Sequence, residues 1–332
     1  MLVEVLHLCQ KIGLVKLGHV SLDGVRANAS KHKAMSYGRM EKKAKELEEE
    51  VARLLAEADR VDTEEDLKYG KGKRGDELPE ELRYRETRLK KIRQAMKELE
   101  EEAKQEAEKK REEIRQKEES LREEGKKRRG CKEPDEKSQR NFTDPESRIM
   151  KDGATGSFEQ CYNCQAAVDD KHQIIIATNV TQEPNDKKQV EPLIEKIKKN
   201  TKGRKPKKIS ADLGYYSEDN VKLLDSHKID PYLATRREKH NQKKPQQPRG
   251  RIPANATVIE RMQRKLRTAK GRCTYSKRKQ IVEPVFGQIK EARGFRRFLS
   301  RGIEKVKAEW DLICLTHNLL KVFRSGADYK TA

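Results

Sequence analysis

Aromatic residues are scarce in this chain. Phe, Trp and Tyr make up 5% of its 332 residues, Trp occurs once, and all hydrophobic types together reach 33%. With 40% of the residues charged, the chain is too polar to be one uniform globular body, and part of it must lie outside a packed core. The length accommodates two domains. Long apolar runs are missing too: none approaches the ~20 residues that span a bilayer, so no membrane partner is expected. Met1 to Val15 is too mixed for a secretion signal and lacks a small-residue cleavage site. The six cysteines are scattered, as in a reduced cytosolic chain. Cys161 and Cys164 form one C-x-x-C without a second pair. Positions i and i+3 of a strand face opposite sides, so the spacing lacks the context that zinc or redox chemistry requires.

Acids are also in deficit, 56 against 77 Lys and Arg for a net charge of +21. The deficit is uneven. Between Glu41 and Gly125 stand 28 acids and 23 bases, a net of −5; taken from the totals, this leaves 28 acids against 54 bases elsewhere, a net of +26. The basic excess belongs to the segments that read as globular. A field of that sign favours a polyanionic partner, nucleic acid above all.

In chain order, Leu2, Val5, Leu6, Cys9 and Ile12 share one helix face, and Gly13 stops the helix. Gly18 to Arg26 reads as a strand in which Gly24 marks a bulge or strand end. From Tyr37 to Gly125 the pattern changes. Met40, Ala44, Leu47, Val51, Leu54, Ala58 and Val61 step by four and three, as do Leu89, Ile92, Met96, Leu99 and Ala103. These seams predict an antiparallel coiled-coil hairpin, an inserted arm outside the core. Lys126 to Asp152 reads as a polar linker. A hairpin of Tyr162–Val168 and Gln173–Val180 follows, then a helix capped by Asp186, with Val190, Leu193, Ile194 and Ile197 on its apolar face. After a basic loop from Arg236 to Gly250 the chain turns helical, with Pro284 predicting a kink or a helix start. The expected organisation is residues 1–35 as helix and first strand, 36–130 as arm, 131–160 as basic linker and 161–332 as the rest of the domain. Without the arm, the order of strands and helices describes an α/β fold, a mixed sheet flanked by helices.

The stretch Ile209-Ser-Ala-Asp-Leu-Gly-Tyr-Tyr-Ser-Glu-Asp-Asn220 anchors the functional reading. A short buried strand ends on Asp212, Gly214 lets the backbone turn, and Ser217 caps the next helix. Open α/β sheets place their chemistry at such carboxyl ends of strands. Asp23 lies on a second strand, beside Gly24, and Glu283 lies on a later helix, off its most apolar face. Two strand-borne carboxylates and one helical carboxylate suit two hard cations, which activate a nucleophile and stabilise a leaving oxygen in phosphodiester chemistry. Each aspartate alone also fits an ordinary turn residue.

Four stretches resemble a DDE transposase of bacterial insertion sequences. They are L-D-G-V-R-A-N-A-S-K-H-K-A-M-S-Y from Leu22, Y-N-C-Q-A-A-V-D from Tyr162, A-D-L-G-Y-Y-S from Ala211 and Y-S-K-R-K-Q-I-V-E-P-V-F-G-Q-I-K from Tyr275. The resemblance implies a ribonuclease H-like catalytic domain that cuts and joins DNA at element ends. Asp23, Asp212 and Glu283 become catalytic residues holding two Mg²⁺ ions, with Mn²⁺ as a substitute. Tyr275, Arg278 and Lys290 become DNA-binding residues. Four residues separate Arg278 from Glu283 where the family pattern has three, so Lys279 competes with Arg278; Asp169 competes with Asp23. The implied partners are double-stranded DNA with terminal inverted repeats and a second copy of the chain, in the cytoplasm at the bacterial nucleoid. A helical DNA-binding region precedes the first motif in this family, so the resemblance also implies truncation at the N-terminus. Two rival readings stand beside it: a catalytically inactive DNA-binding or coiled-coil scaffold left over from a transposase, and a ribonuclease H-like nuclease that cleaves without joining.

Overall fold

The structure, a computed structural model, describes residues 1–30, 33–69, 80–120, 135–151, 156–236, 247–253 and 255–326. It divides into two units: Met1–His32 with Glu146–Ala332, and Lys33–Pro145.

The first unit begins with α1 (Leu2–Lys11) and β1 (His19–Asn28). The second contains β2 (Ala34–Ser36), α2 (Tyr37–Tyr69), α3 (Glu80–Ser120) and β3 (Gln139–Asn141). The helices run antiparallel, since Glu48 meets Arg93, Glu50 meets Arg85, and Tyr37 donates to Glu100. Their seam buries Met40, Ala44 and Leu47 against Leu89, Ile92, Ala95 and Leu99, the four-and-three spacing seen in the sequence. The connector between the helices, residues 70–79, lies outside the described residues. β2 and β3 pair antiparallel, and the nearly buried Arg140 of β3 is held by Glu98 and Glu102 of α3.

The first unit resumes with β4 (Arg148–Lys151), β5 (Phe158–Asp169), β6 (Ile175–Thr181), α4 (Val190–Asn200), β7 (Lys208–Ala211), α5 (Glu218–Ser226), β8 (Asp230–Leu233), α6 (Val258–Arg267), α7 (Ala269–Gly287) and α8 (Ile303–Arg324). The main sheet runs β4-β5-β1-β7-β8, with β6 also on β5. β5 is antiparallel to β4, β6 and β1, while β1, β7 and β8 are parallel. One face carries Val20, Leu22 and Ile209 against Leu6, Leu193, Ile197 and Leu224. The other carries Val25, Ala166 and Ile175 against Val282, Val285 and Trp310. The result is a mixed sheet flanked by helices.

Several expectations need correction. Residues 131–160 are no plain linker, because β3, β4 and the start of β5 lie there. Their polar side chains hid the strands: Arg140, Asn141, Ser147 and Gln160 are all buried. Gly24 neither bulges nor ends its strand, and β1 runs through it in unbroken register, with Gly24 opposite Gln165. A methyl group there would lie 2.5 Å from the Gln165 Nε2, so the glycine serves a close approach. Asp186 makes no side-chain cap for the helical turn after it. Pro284 sits inside α7 rather than starting a helix. The Gln280 carbonyl, whose usual donor would be the missing Pro284 N–H, instead accepts from Gln173 Nε2 at 2.8 Å. The helix α6 was not anticipated, although Thr257 and Glu260 form a full capping box at its start.

Candidate active site

The register of two strands sets the site. β1 and β7 pair in parallel, with His19 opposite Lys208 and Ser21 opposite Ser210. Carried on by two residues, the same register brings Asp23 opposite Asp212. Side chains two apart share a face, and neighbouring strands lie ~4.8 Å apart, so the two carboxylates lie on one face, Asp23 in the middle of β1 and Asp212 just past the C-terminal end of β7. Beneath them the same face is polar: Ser210 Oγ donates to Ser21 Oγ at 3.2 Å and bonds His19 Nε2 at 2.8 Å.

α7 crosses this face and delivers Arg278. Its Nη1 lies 3.2 Å from Asp23 Oδ2, with both side chains largely buried, at 12% and 19% exposure. Asp23 Oδ1 accepts from the Gly24 amide at 3.0 Å, and Asp212 Oδ1 from the Gly214 amide at 2.9 Å. Burial pushes the Asp23 carboxyl up to about 6; the Arg278 charge opposes this, and the Asp212 charge adds to it. Burial raises Asp212 as well, again against Arg278. A third carboxylate joins them. Asp186 acts electrostatically on both aspartates, and a methyl on Gly214 would lie 2.9 Å from Asp186 Oδ2 and 3.1 Å from Asp212 Oδ1. Two of the three acids, Asp23 and Asp212, act on the Arg278 guanidinium.

The other expected residues are placed as follows. Tyr275, one helical turn before Arg278, is hydrogen-bonded to it. Arg278 Nε is buried without a hydrogen-bond partner among the described residues. Lys279 is exposed, so Arg278 is the cation at the aspartates. Asp169 is fully buried at the end of β5, and its oxygens accept from the amides of Lys16, Leu17 and Lys171, which gives it a structural role there. Lys290 lies in the π-helical turn after α7. It lines a pocket of about 200 Å³ with Arg26, Asn28, Glu159, Phe295 and Arg296.

Glu283 departs from the expected trio. It is exposed and is not among the charges acting on Asp23 or Asp212. Five residues along a helix amount to about 140° of rotation, so Glu283 and Arg278 occupy different faces of α7. It is Arg278 that faces the aspartates. Among the described residues, no three acids, histidines or cysteines are grouped as metal ligands.

The oxygens of Asp23 and Asp212 still fit a hard divalent cation, since Mg²⁺ commonly takes one or two carboxylates and keeps its waters. Two buried carboxylates raised toward protonation are also what a cation would relieve. Sequence reasoning missed Asp186, which it read as a helix cap. It missed Gln165 as well, whose partners depend on the fold.

A family model described as transposase DDE domain matches residues 129–319, more than half of the chain. The match covers Asp212, Arg278, Glu283 and Lys290 and begins beyond Asp23. No curated protein and no solved structure matches.

Proposed function

Since the chain belongs to the transposase DDE domain family, we propose that it cleaves DNA strands and transfers them at the ends of an insertion sequence, using a divalent cation. The observation that carries this reading is that Asp23, in contact with Arg278, stands two residues beyond the last pair of the parallel β1–β7 ladder, with Asp212 at the same step past β7. Order β6-β5-β1-β7-β8, with only β5 antiparallel to the rest, supports a ribonuclease H-like domain. Asp23 and Asp212 would hold the cation, Mg²⁺ or Mn²⁺. When bound, it supplies activation of a water or 3′-hydroxyl and neutralisation of charge on the phosphate.

The chain's own groups do the positioning. Arg278 holds Asp23 in place, and its charge would draw a phosphate toward the aspartates. Tyr275 braces Arg278 and presents a ring for a base. Lys290 meets the backbone farther along. The partners proposed are duplex DNA bearing terminal inverted repeats and a second copy of the chain, with the α2–α3 arm as a coiled coil for either contact, at a bacterial nucleoid. Glu283, on another face of α7, would complete the trio by a rotation of that helix when DNA and cation bind.

One observation favours a second reading. Glu283 stands apart while Arg278 occupies Asp23, as expected of a scaffold that binds DNA without cutting it. A supercoiled plasmid and a duplex with a free 3′-hydroxyl end, each with Mn²⁺, decide between them. The catalytic reading expects nicking and joining by the chain, both lost by more than a hundredfold in Asp212→Asn. Binding without nicking would establish the scaffold, and nicking without joining a nuclease. Nicking retained in Asp212→Asn would remove the site altogether.

A further inference from the structure

The motif Tyr162-Asn-Cys-Gln-Ala-Ala-Val-Asp169 holds no residue that the proposed chemistry uses, yet two of its side chains lie behind the aspartates. Gln165 and Asn163 project from β5 on the face opposite Asp23 and are buried, at 0% and 2% exposure. Gln165 Nε2 donates to Asn163 Oδ1 at 2.8 Å and to Asp186 Oδ1 at 2.7 Å. Asn163 Nδ2 donates to the same Asp186 oxygen at 2.7 Å and to the Glu183 carbonyl at 3.1 Å. The Tyr215 hydroxyl donates to Gln165 Oε1. Tyr215 closes the helical turn that Asp212 caps.

Two glycines fit this network. Gly24, next to Asp23, admits the Gln165 amide, and Gly214, two residues after Asp212, admits Asp186 Oδ2. One buried amide therefore touches the strand that carries Asp23, the turn that carries Asp212, and the third carboxylate.

We propose that Gln165 is the positioning residue of this site: its side chain, through Tyr215 and Asp186, fixes the Asp212 turn relative to the Asp23 strand. A buried amide with both ends engaged cannot shift without leaving polar groups unpaired. The spacing of the two carboxylates is then built into the free protein. Asp186, with Oδ1 saturated by two amides, keeps Oδ2 toward the turn. This inference rests on the reading of Asp23 and Asp212 as cation ligands.

The test is Mn²⁺ binding by the full chain, followed by the electron paramagnetic resonance of free Mn²⁺, with thermal unfolding measured without metal. Residues behind metal ligands typically govern ~10–100-fold in affinity. Gln165→Met, similar in length and without hydrogen bonds, is expected to bind Mn²⁺ at least tenfold more weakly while still folded. Tyr215→Phe, which removes one hydroxyl, is expected to weaken binding roughly fivefold, the worth of about one hydrogen bond. Should Gln165→Met fail to fold, Tyr215→Phe decides. A merely structural role would lower the melting temperature and leave the affinity of the folded variants at the parent value, overturning the proposal. Absence of Mn²⁺ binding by the parent chain would overturn the cation site itself, and this inference with it; parent binding that both variants match would overturn this inference alone.

Discussion

Asp23 carries a charge that its surroundings disfavour even with Arg278 beside it. Its folded value of about 6 lies above the ordinary 3.8, with burial as the largest cause. The stability contributed by the protonated form is therefore complete below about pH 3.8 and is lost as pH rises through 6. Asparagine imitates the protonated form at every pH. In metal-free buffer, Asp23→Asn should be more stable than the parent by about 3 kcal/mol above pH 7, at about 1.4 kcal/mol per pH unit, and equal to it below about pH 3. Denaturant unfolding of both proteins across that range checks this; a difference independent of pH would refute it. The comparison must be between the two proteins, because His19 and His317 act oppositely. Burial holds both near 4, so their contribution is present above pH 6.5 and is lost as pH falls through 4. At this scale the sequence was readable where a strand hands over to a turn, as at Asp212, and where a carboxylate interrupts the apolar alternation of a strand, as at Asp23. It was not readable where a side chain's partners lie on other strands. Nothing local in Gln165 or Asp186 foretells their meeting, and the rotation that puts Glu283 on the outside of α7 depends on which face of that helix the sheet covers.

α7 shows how an element survives a residue that should break it. Pro284 removes one donor, and Gln173, in the turn between β5 and β6, replaces it at the Gln280 carbonyl. Gln173 is held in a left-handed conformation, φ 60°. From there its Oε1 takes Lys321 and its carbonyl meets His317, both on α8. One turn residue thus ties together the two helices that cover the Asp23 face. Gln173→Ala should cost about 1 kcal/mol. In a Pro284→Ala background, where the new alanine supplies its own N–H to Gln280, the cost should shrink by at least about 0.5 kcal/mol, a coupling that a double-mutant cycle in urea resolves. Additive costs would show that Gln173 does not substitute for the lost donor. The sequence disclosed the apolar spacing of this helix and the hazard of Pro284. It could not disclose the compensation, which comes from a residue more than a hundred positions away. α6 is the reverse case: its capping box is plain in Thr257-Val-Ile-Glu260, but the basic residues around it masked a helix of mixed polarity.

The whole molecule divides into two units, and the segment between Glu41 and Gly125, net acidic where the remainder is strongly basic, lies inside the second of them. That contrast and the four-and-three seams are what the expected arm at residues 36–130 rested on. The two cores on either side of the main sheet contain no residue from Lys33–Pro145, and the helical seam contains none from outside it. The sheet also keeps the flanks of the insertion close together. Asn28 at the end of β1 and Arg148 at the start of β4 both pair with Cys161 of β5, from opposite sides. They therefore stand two strand spacings apart, roughly 10 Å, a gap that four extended residues cover at ~3.3 Å each. Replacing Lys33–Pro145 by six Gly and Ser residues should leave a body that folds alone. Loop length enters stability only logarithmically, so its melting temperature should stay within about 5 °C of the parent, with a single cooperative transition. Circular dichroism should show the helical signal reduced by the contribution of α2 and α3 and otherwise unchanged. Loss of the cooperative transition would mean that the body depends on the arm, and that the separation of the two cores does not extend to their stability. A body that folds and still takes up Mn²⁺ would place the cation site wholly within the sheet, because every group that sets Asp23 beside Asp212, from Ser21 and Ser210 to Gln165 and Arg278, belongs to that unit.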